Sequence, residues 1–342
     1  MTSRERWQAV LAGQKADKVV TDYWGTSEVT TRLCKDLNCP DMDAVARKLG
    51  IDLCHGAGPK YIGPKFDGCN MWGIRSVVKE YAGGAGTYVE AIEHPLAGAT
   101  TVAEINAYPW PSPDWYDYTT VAKSVDALGD WPRRGGYYEP FLGYCGLRGQ
   151  EQALMDLAIY PDIAEAILTK LFDFHYTVNR RTFESATPGS IDLTYVAEDL
   201  GTQHSLLMSL PMIDTFLLPN MRRMSELAHS FGIHVMHHDD GACRPVLSRM
   251  IEIGVNLLNP IQWRCPGMDR RGLMADFGDK LAFHGAVDNQ QTLPFGSPAD
   301  VRAEVRENIA IFGSRYICAP CHNLQPNTPT ANIVALYEAA NE

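Results

Sequence analysis

The densest chemistry in the chain is the run His237-His238-Asp239-Asp240-Gly241, which closes an apolar stretch that starts at His234. Side chains alternate along a strand, so His238 and Asp240 share one side while His237 and Asp239 share the other. An imidazole and a carboxylate two residues apart, joined by the distant His322, offer three N/O ligands to a divalent metal and leave a position open for substrate. The same groups could instead form a metal-free hydrogen-bonded network that holds loops and a substrate, and the residues alone leave both readings open. Cys243 and Cys321 lie nearby. Buried, inert thiols are the ordinary outcome for such residues, with Cys321 as an alternative fourth ligand.

Other apolar runs end in the same manner. Residues 191–197 are followed by Glu198 and Asp199, and residues 255–258 by Asn259-Pro260. Residues 281–283 lead to His284, Gly285 and Asp288, and residues 316–320 to Cys321, His322 and Asn323. One such residue is usually a cap, but polar groups at the ends of five consecutive strands converge on one rim when the strands form a barrel. Asp199 and His284 are candidates to orient a substrate, with Glu198, Asn259, Asp288 and Asn323 as further contacts. Tyr144, Tyr195 and Trp263 are candidate ring-packing partners.

The elements needed to position these groups can be read from periodicity. From about residue 137, strand-like runs (137–142, 191–197, 234–237, 255–258, 281–284 and 316–319) alternate with helical stretches, the pattern of a parallel sheet wrapped by helices. One helix starts near Pro161 with Ile163, Ala166, Ile167 and Leu171 on a face. A second starts at Ser297-Pro298, carries Val301, Val305 and Ile309, and stops at Gly313; a third starts at Thr328-Pro329 with Ile333 and Leu336 inward. Thr2 and Glu5 form a capping-box pattern ahead of Trp7, Val10 and Leu11. With residues 18–23 and 52–56 as the two remaining strands, the expectation is a distorted (β/α)8 TIM-type barrel. It forms one domain over residues 1–342, with residues 1–136 holding an N-terminal extension layered on the barrel and 137–342 the main run of strands. Pro109, Pro111 and Pro113, with Trp110 and Trp115, predict an extended, non-helical surface strap.

Composition excludes several function classes. The net charge of −11 is spread along the 342 residues, which argues against nucleic acid and against an anionic membrane surface. No apolar run is long enough to span a bilayer. The charged start, Met1 to Trp7, is unlike a secretory signal, and nine scattered cysteines read as reduced thiols, so a cytoplasmic enzyme is expected.

Two long stretches resemble the uroporphyrinogen decarboxylase superfamily: residues 227–241, with His229, Gly232, His234, His238, Asp240 and Gly241, and residues 319–333, with His322, Asn323, Gln325, Pro329 and Asn332. Shorter matches in the same order are Asp67-Gly68, Trp72-Gly73, His94-Pro95-Leu96, residues 108–111, Leu147-Arg148-Gly149 and residues 198–203. The resemblance covers nearly the whole chain and implies a barrel with its site at the carboxyl ends of the strands. True decarboxylases of the family carry a Gln-Ala-Gly-Arg segment whose arginine grips substrate carboxylates. Residues 23–28 stand there instead, with no arginine before Arg32. The chain is therefore closer to the corrinoid-dependent methyltransferase branch. In that branch a zinc is held by a His and two Cys, which fall here on His238, Asp240 and His322.

Replacing both thiolates by a carboxylate and an imidazole gives a harder site, suited to an oxygen ligand. The resemblance thus implies an O-demethylase component, which moves a methyl group from a small methoxylated, aromatic donor to the cobalt of a separate corrinoid protein. It implies zinc as a second cofactor. No Asp-x-His-x-x-Gly cobalamin signature is present, so the corrinoid is expected in trans. A uroporphyrinogen-type decarboxylase and a non-catalytic ligand-binding barrel are the alternatives.

Overall fold

The computed structural model describes residues 1–81 and 86–342. Eight parallel strands form one curled sheet: β1 Val20–Thr21, β2 His55–Ala57, β3 Arg133–Tyr138, β4 Leu193–Val196, β5 His234–His238, β6 Leu257–Asn259, β7 Ala282–Val287 and β8 Tyr316–Pro320. Their spatial order is β1-β8-β7-β6-β5-β4-β3-β2, so every strand from β2 to β8 lies beside its chain neighbour and β8 returns to β1. At the β1/β2 seam, the Asp52 N–H donates to the Thr21 carbonyl at 3.1 Å. The Cys54 N–H donates to the Asp22 carboxylate at 2.9 Å. This is the TIM-type barrel expected, closed at the seam by chain flanking the two shortest strands.

Alternation sorts the strands into two faces. Val235, Leu258, Phe283 and Cys318 point outward into a large core shared with the helices. Val20, Leu193, Met236, Leu257, Ala282 and Ile317 point inward and close the bottom of the barrel, with Trp7, Val10 and Leu11 of the first helix plugging it. The Trp7 indole N–H donates to the Asp52 carbonyl at 2.8 Å, so even the plug is hydrogen-bonded. Two residues further along, on every one of these strands but β8, the inward positions are Asp22, Tyr195, His238, Asn259 and His284. A polar layer thus rests on an apolar floor.

The helices start where their caps predict. The Thr2/Glu5 capping box is present on Ser3–Leu11, and a Ser297/Asp300 box opens Pro298–Phe312. Pro161 begins a 25-residue helix through Ser185. Two expectations shift. Strand β3 begins at Arg133 and ends at Tyr138, because Pro140 starts the helix Pro140–Arg148. The Pro-rich strap is extended through residue 112 but then makes a 3-10 turn, Pro113–Trp115, capped by Ser112. Residues 75–93 also carry an antiparallel pair, Arg75–Tyr81 with Gly86–Glu93, which leans on the rim: the Tyr81 hydroxyl donates to the Gln325 side chain at 2.7 Å. Among the described residues, no helix is long and apolar enough to cross a membrane.

Candidate functional site

His238 is the last residue of β5, and Asp240 follows in the loop. Two glycines bring that loop against residues 199–202. A Cβ on Gly201 would lie 2.1 Å from the Asp240 carbonyl oxygen, and one on Gly241, at φ +80°, would lie 2.3 Å from the Thr202 carbonyl oxygen. Neither atom can move without the backbone, so only glycine permits the approach. Through it the Asp240 N–H donates to Asp199 at 3.2 Å, and the Gln262 amide donates to the Asp240 carboxylate at 2.9 Å.

His238 Nε2 lies 4.0 Å from Asp240 Oδ1 and 3.6 Å from Asp199 Oδ1, and His322 Nε2 lies 3.6 Å from Asp240 Oδ2. One ligand atom from each of His238, Asp240 and His322 lies within 4.8 Å of the others. These contacts are too long for hydrogen bonds. They sit close to the separation of about 3.3–3.6 Å that tetrahedral ligands at 2.0–2.2 Å would have, so small movements suffice to hold a divalent ion. Burial pushes the Asp240 carboxyl above the ordinary carboxylate range, partly opposed by the two imidazoles.

A buried chain of hydrogen bonds sets which nitrogen of His238 is free. Asp22 accepts from the Trp24 indole and the Cys54 N–H at 3.0 and 2.9 Å, so its carboxylate is the fixed acceptor. His284 Nε2, 3.0 Å away, is then the donor. Its Nδ1 accepts from the Asn259 amide nitrogen at 2.7 Å, which turns the Asn259 oxygen towards His238 Nδ1 at 2.5 Å. His238 Nδ1 therefore carries the hydrogen, and its Nε2 presents a lone pair to the Asp199/Asp240 side. Trp24 and Tyr195 hold the imidazole, stacking on it at centroid distances of 5.6 and 5.8 Å. Both rings also line a cavity of about 490 Å³ inside the barrel, with Tyr137, Arg134 and Asn323.

Six residues expected at the site are brought together: His238, Asp240, His322, Asp199, Tyr195 and Asn323. Seven others are placed elsewhere. His284 and Asn259 are fully buried in the relay beneath the site and do not open to a ligand. Tyr144 is fully buried and donates to Asp156 at 2.6 Å, inside an ion pair with Arg148. Glu198 is buried and caps the helix Pro140–Arg148, accepting from the N–H groups of Phe141 and Leu142. Asp288 is committed to Arg264 at 2.7 Å and to the N–H groups of Gln290, Gln291 and Thr292. Trp263 is held between the guanidinium groups of Arg264 and Arg270, each 4.3 Å from its ring. Cys321 turns its sulfur to the Ile261 carbonyl at 3.1 Å, and burial holds it as the thiol. As the alternation implies, His237 and Asp239 face each other at 3.5 Å away from the triad, and Asp239 accepts from the N–H groups of Leu200 and Gly201.

Several residues that touch the site or line its cavity were not singled out from the sequence, among them Asp22, Trp24, Gln262 and Arg134. Asp22 follows a strand of two residues, and only its place one step beyond the apolar Val20 could have marked it. Arg134 lies before the expected start of β3.

Comparison with known proteins assigns the family. Residues 100–342 match the family model described as Uroporphyrinogen decarboxylase (URO-D). The chain belongs to the uroporphyrinogen decarboxylase family. Among solved structures it is similar to a methyltransferase from Methanosarcina mazei, at 20% identity and a TM-score of 0.69, over 99% of this chain and 98% of the other. It is also similar to a B12-independent methionine synthase from Shewanella sp. W3-18-1, at 10% identity and a TM-score of 0.44, over 94% and 97% of the two chains. No curated protein matches in sequence.

Proposed function

We propose that this member of the family removes a methyl group from a small methoxylated, ring-containing donor and delivers it to the cobalt of a corrinoid carried by a separate protein. The observation that carries the reading is the all-N/O donor set of His238, Asp240 and His322 beside an aromatic-walled cavity of about 490 Å³, a size suited to one small molecule. The similarity to the Methanosarcina methyltransferase is consistent with it.

In the proposed reaction the methyl–oxygen bond of the donor breaks, and the C–O electron pair stays on the ether oxygen, which takes one proton and leaves as a phenol. The corrinoid of the partner protein would supply the nucleophile that accepts the methyl group. Zinc held by His238, Asp240 and His322 would supply Lewis acidity to that oxygen. The protein's own part is to orient the donor and keep ligands ready. Trp24 and Tyr195 clamp His238, the relay from Asp22 keeps its Nε2 free, and Asp199 holds Asp240 through its N–H. A tetrapyrrole with many carboxylates would need a basic cleft. Among the described residues Arg134 is the single Lys or Arg lining the cavity, which disfavours the decarboxylase alternative.

The test is incubation with methoxylated aromatics and a reduced corrinoid acceptor protein. Methylated corrinoid and a phenol should form in equal amounts, and porphyrinogens should release no carbon dioxide. Carbon dioxide release without methyl transfer would replace this reading with decarboxylation.

A further inference from the structure

The floor of the barrel is apolar except at β3. Arg134 pairs in register with Leu193 of β4, a floor residue, and its side chain rises along the cavity wall until the guanidinium carbon lies 5.3 Å from the Tyr195 ring centroid. Its neighbour Arg133 shows what a structural arginine looks like here. Arg133 turns to the other side of the sheet and donates to the carbonyls of Ser190 and Gly129. Arg134 has no such partner among the described residues, and its donors are open to the cavity it lines.

The carboxylates nearby are already engaged. Asp22, on the same cavity, accepts from Trp24, His284 and the Cys54 N–H. Asp192 accepts from Arg4, Gln8 and the Arg133 N–H. A half-buried guanidinium that lines a half-apolar cavity without a carboxylate of its own is free to pair with an anion that enters. Its planar fork of donors matches a carboxylate.

We propose that Arg134 is the anchor for a carboxylate on the substrate, so that the donor is a methoxylated ring acid rather than a neutral ether. This rests on the methyl-transfer reading for the identity of the ring. The geometry supplies the rest. Tyr195 is near both groups: the Arg134 guanidinium is 5.3 Å from its centroid and the His238 ring 5.8 Å from it, so guanidinium and imidazole are no further apart than those two distances end to end. One aromatic ring set against Tyr195 and Trp24 can reach Arg134 with an acid group and the His238/Asp240/His322 mouth with a methoxyl oxygen.

Binding is measured by titration calorimetry on the full chain, without the corrinoid protein, for the 2-, 3- and 4-methoxybenzoates and their methyl esters. At least one acid should bind roughly 10- to 100-fold more tightly than its ester, the range expected when a charge-assisted pair is lost. Arg134→Gln should remove that preference and Arg134→Lys should keep part of it. If Arg134→Gln does not fold, the acid–ester comparison on the natural chain still decides. Equal binding of acid and ester, no binding of any of the acids, or a preference that survives Arg134→Gln would each overturn the anchor. Acids that bind through Arg134 but transfer no methyl group would keep the anchor and remove the methyl-transfer reading. Transfer from neutral ethers with no acid preference would do the reverse.

Discussion

Two polar clusters in this barrel differ in one respect: whether their hydrogen bonds are closed. In the first, Arg148 and Asp156 pair at 2.6 Å, almost fully buried, and Tyr144, Gln152 and the carbonyls of Leu96 and Ala99 complete the donors and acceptors. Nothing is left to bind a ligand. In the second, His238, Asp240 and His322 stand 3.6–4.0 Å apart, and the free nitrogen of His238 faces a carboxylate without bonding to it. The first cluster fastens the loop at residues 96–99 to the helix Pro140–Arg148. The second holds its groups just short of contact, which costs stability and is useful only if something fills the gap. A polar residue at a strand end therefore says little until its partners are counted.

The contrast can be broken at both ends. His322→Ala opens the second cluster further on a side chain that is one-third exposed. Methyl transfer should fall by about 10²–10³-fold, the loss typical of removing one stabiliser of a developing oxyanion. Unfolding free energy should stay within about 0.5 kcal/mol. A chevron or denaturant titration beside the rate assay separates the two, and a large stability loss would mean that the rim is structural. Arg148→Met does the converse. It strands Asp156 and should cost about 3–5 kcal/mol of stability, with the rate per folded molecule unchanged. Tyr144→Phe, which removes one of several bonds to Asp156, should cost about 1–2 kcal/mol and leave KM alone. A raised KM would return Tyr144 to the substrate.

A middle-sized effect tests the relay that joins the clusters' logic. Asn259 is fully enclosed and touches no ligand, yet it relays hydrogen-bond direction from His284 to His238. Asn259→Leu should weaken zinc binding by roughly 10–100-fold, as loss of an outer hydrogen-bond partner does. Competition with a chromophoric chelator reads this directly. Unchanged zinc affinity in a folded variant would show that the tautomer of His238 needs no relay.

The rim itself was legible in the sequence because parallel barrels put strand-end residues on one side, so His238, Asp240 and His322 could be grouped without coordinates. Which of the other strand-end groups face inward was not legible. Glu198 and Asp288 are buried against backbone N–H groups, Asp288 also against Arg264, whereas Asp199 stays half exposed beside His238, and none of this is written in the residue types. Strand β3 was misplaced by four residues because Gly135 and Gly136 interrupt it. Those glycines answer a spatial demand: Cβ atoms there would meet Ile191 and Thr194 side chains at 2.8 Å. With the strand start went Arg134, whose inward place follows only from its register with Leu193. Asp22 was hidden in another way, beyond a two-residue strand too short to show alternation.

The smallest effect expected is a shift in pH, and it follows from Asp240. Its carboxyl is pushed above the ordinary range of about 3.9, first by burial and then by Asp199 and Asp239, while His238 and His322 pull it down. Each ligand must be deprotonated to hold zinc, so zinc is retained at high pH and lost as the two imidazoles take up protons and as pH falls through the Asp240 titration. Because that titration is raised, release should start at a higher pH than an exposed carboxylate would give. Zinc binding also opposes protonation, so the midpoint should move down as free zinc is increased. Asp199→Asn removes one neighbouring negative charge and should lower the midpoint further, by a fraction of a pH unit. The measurement is zinc retained after equilibrium dialysis across pH 4–7, in the natural chain and in Asp199→Asn. A midpoint that moves upward in Asp199→Asn would mean that Asp199 itself helps to hold the metal. The mouth would then be a four-residue centre rather than three ligands with an acid beside them.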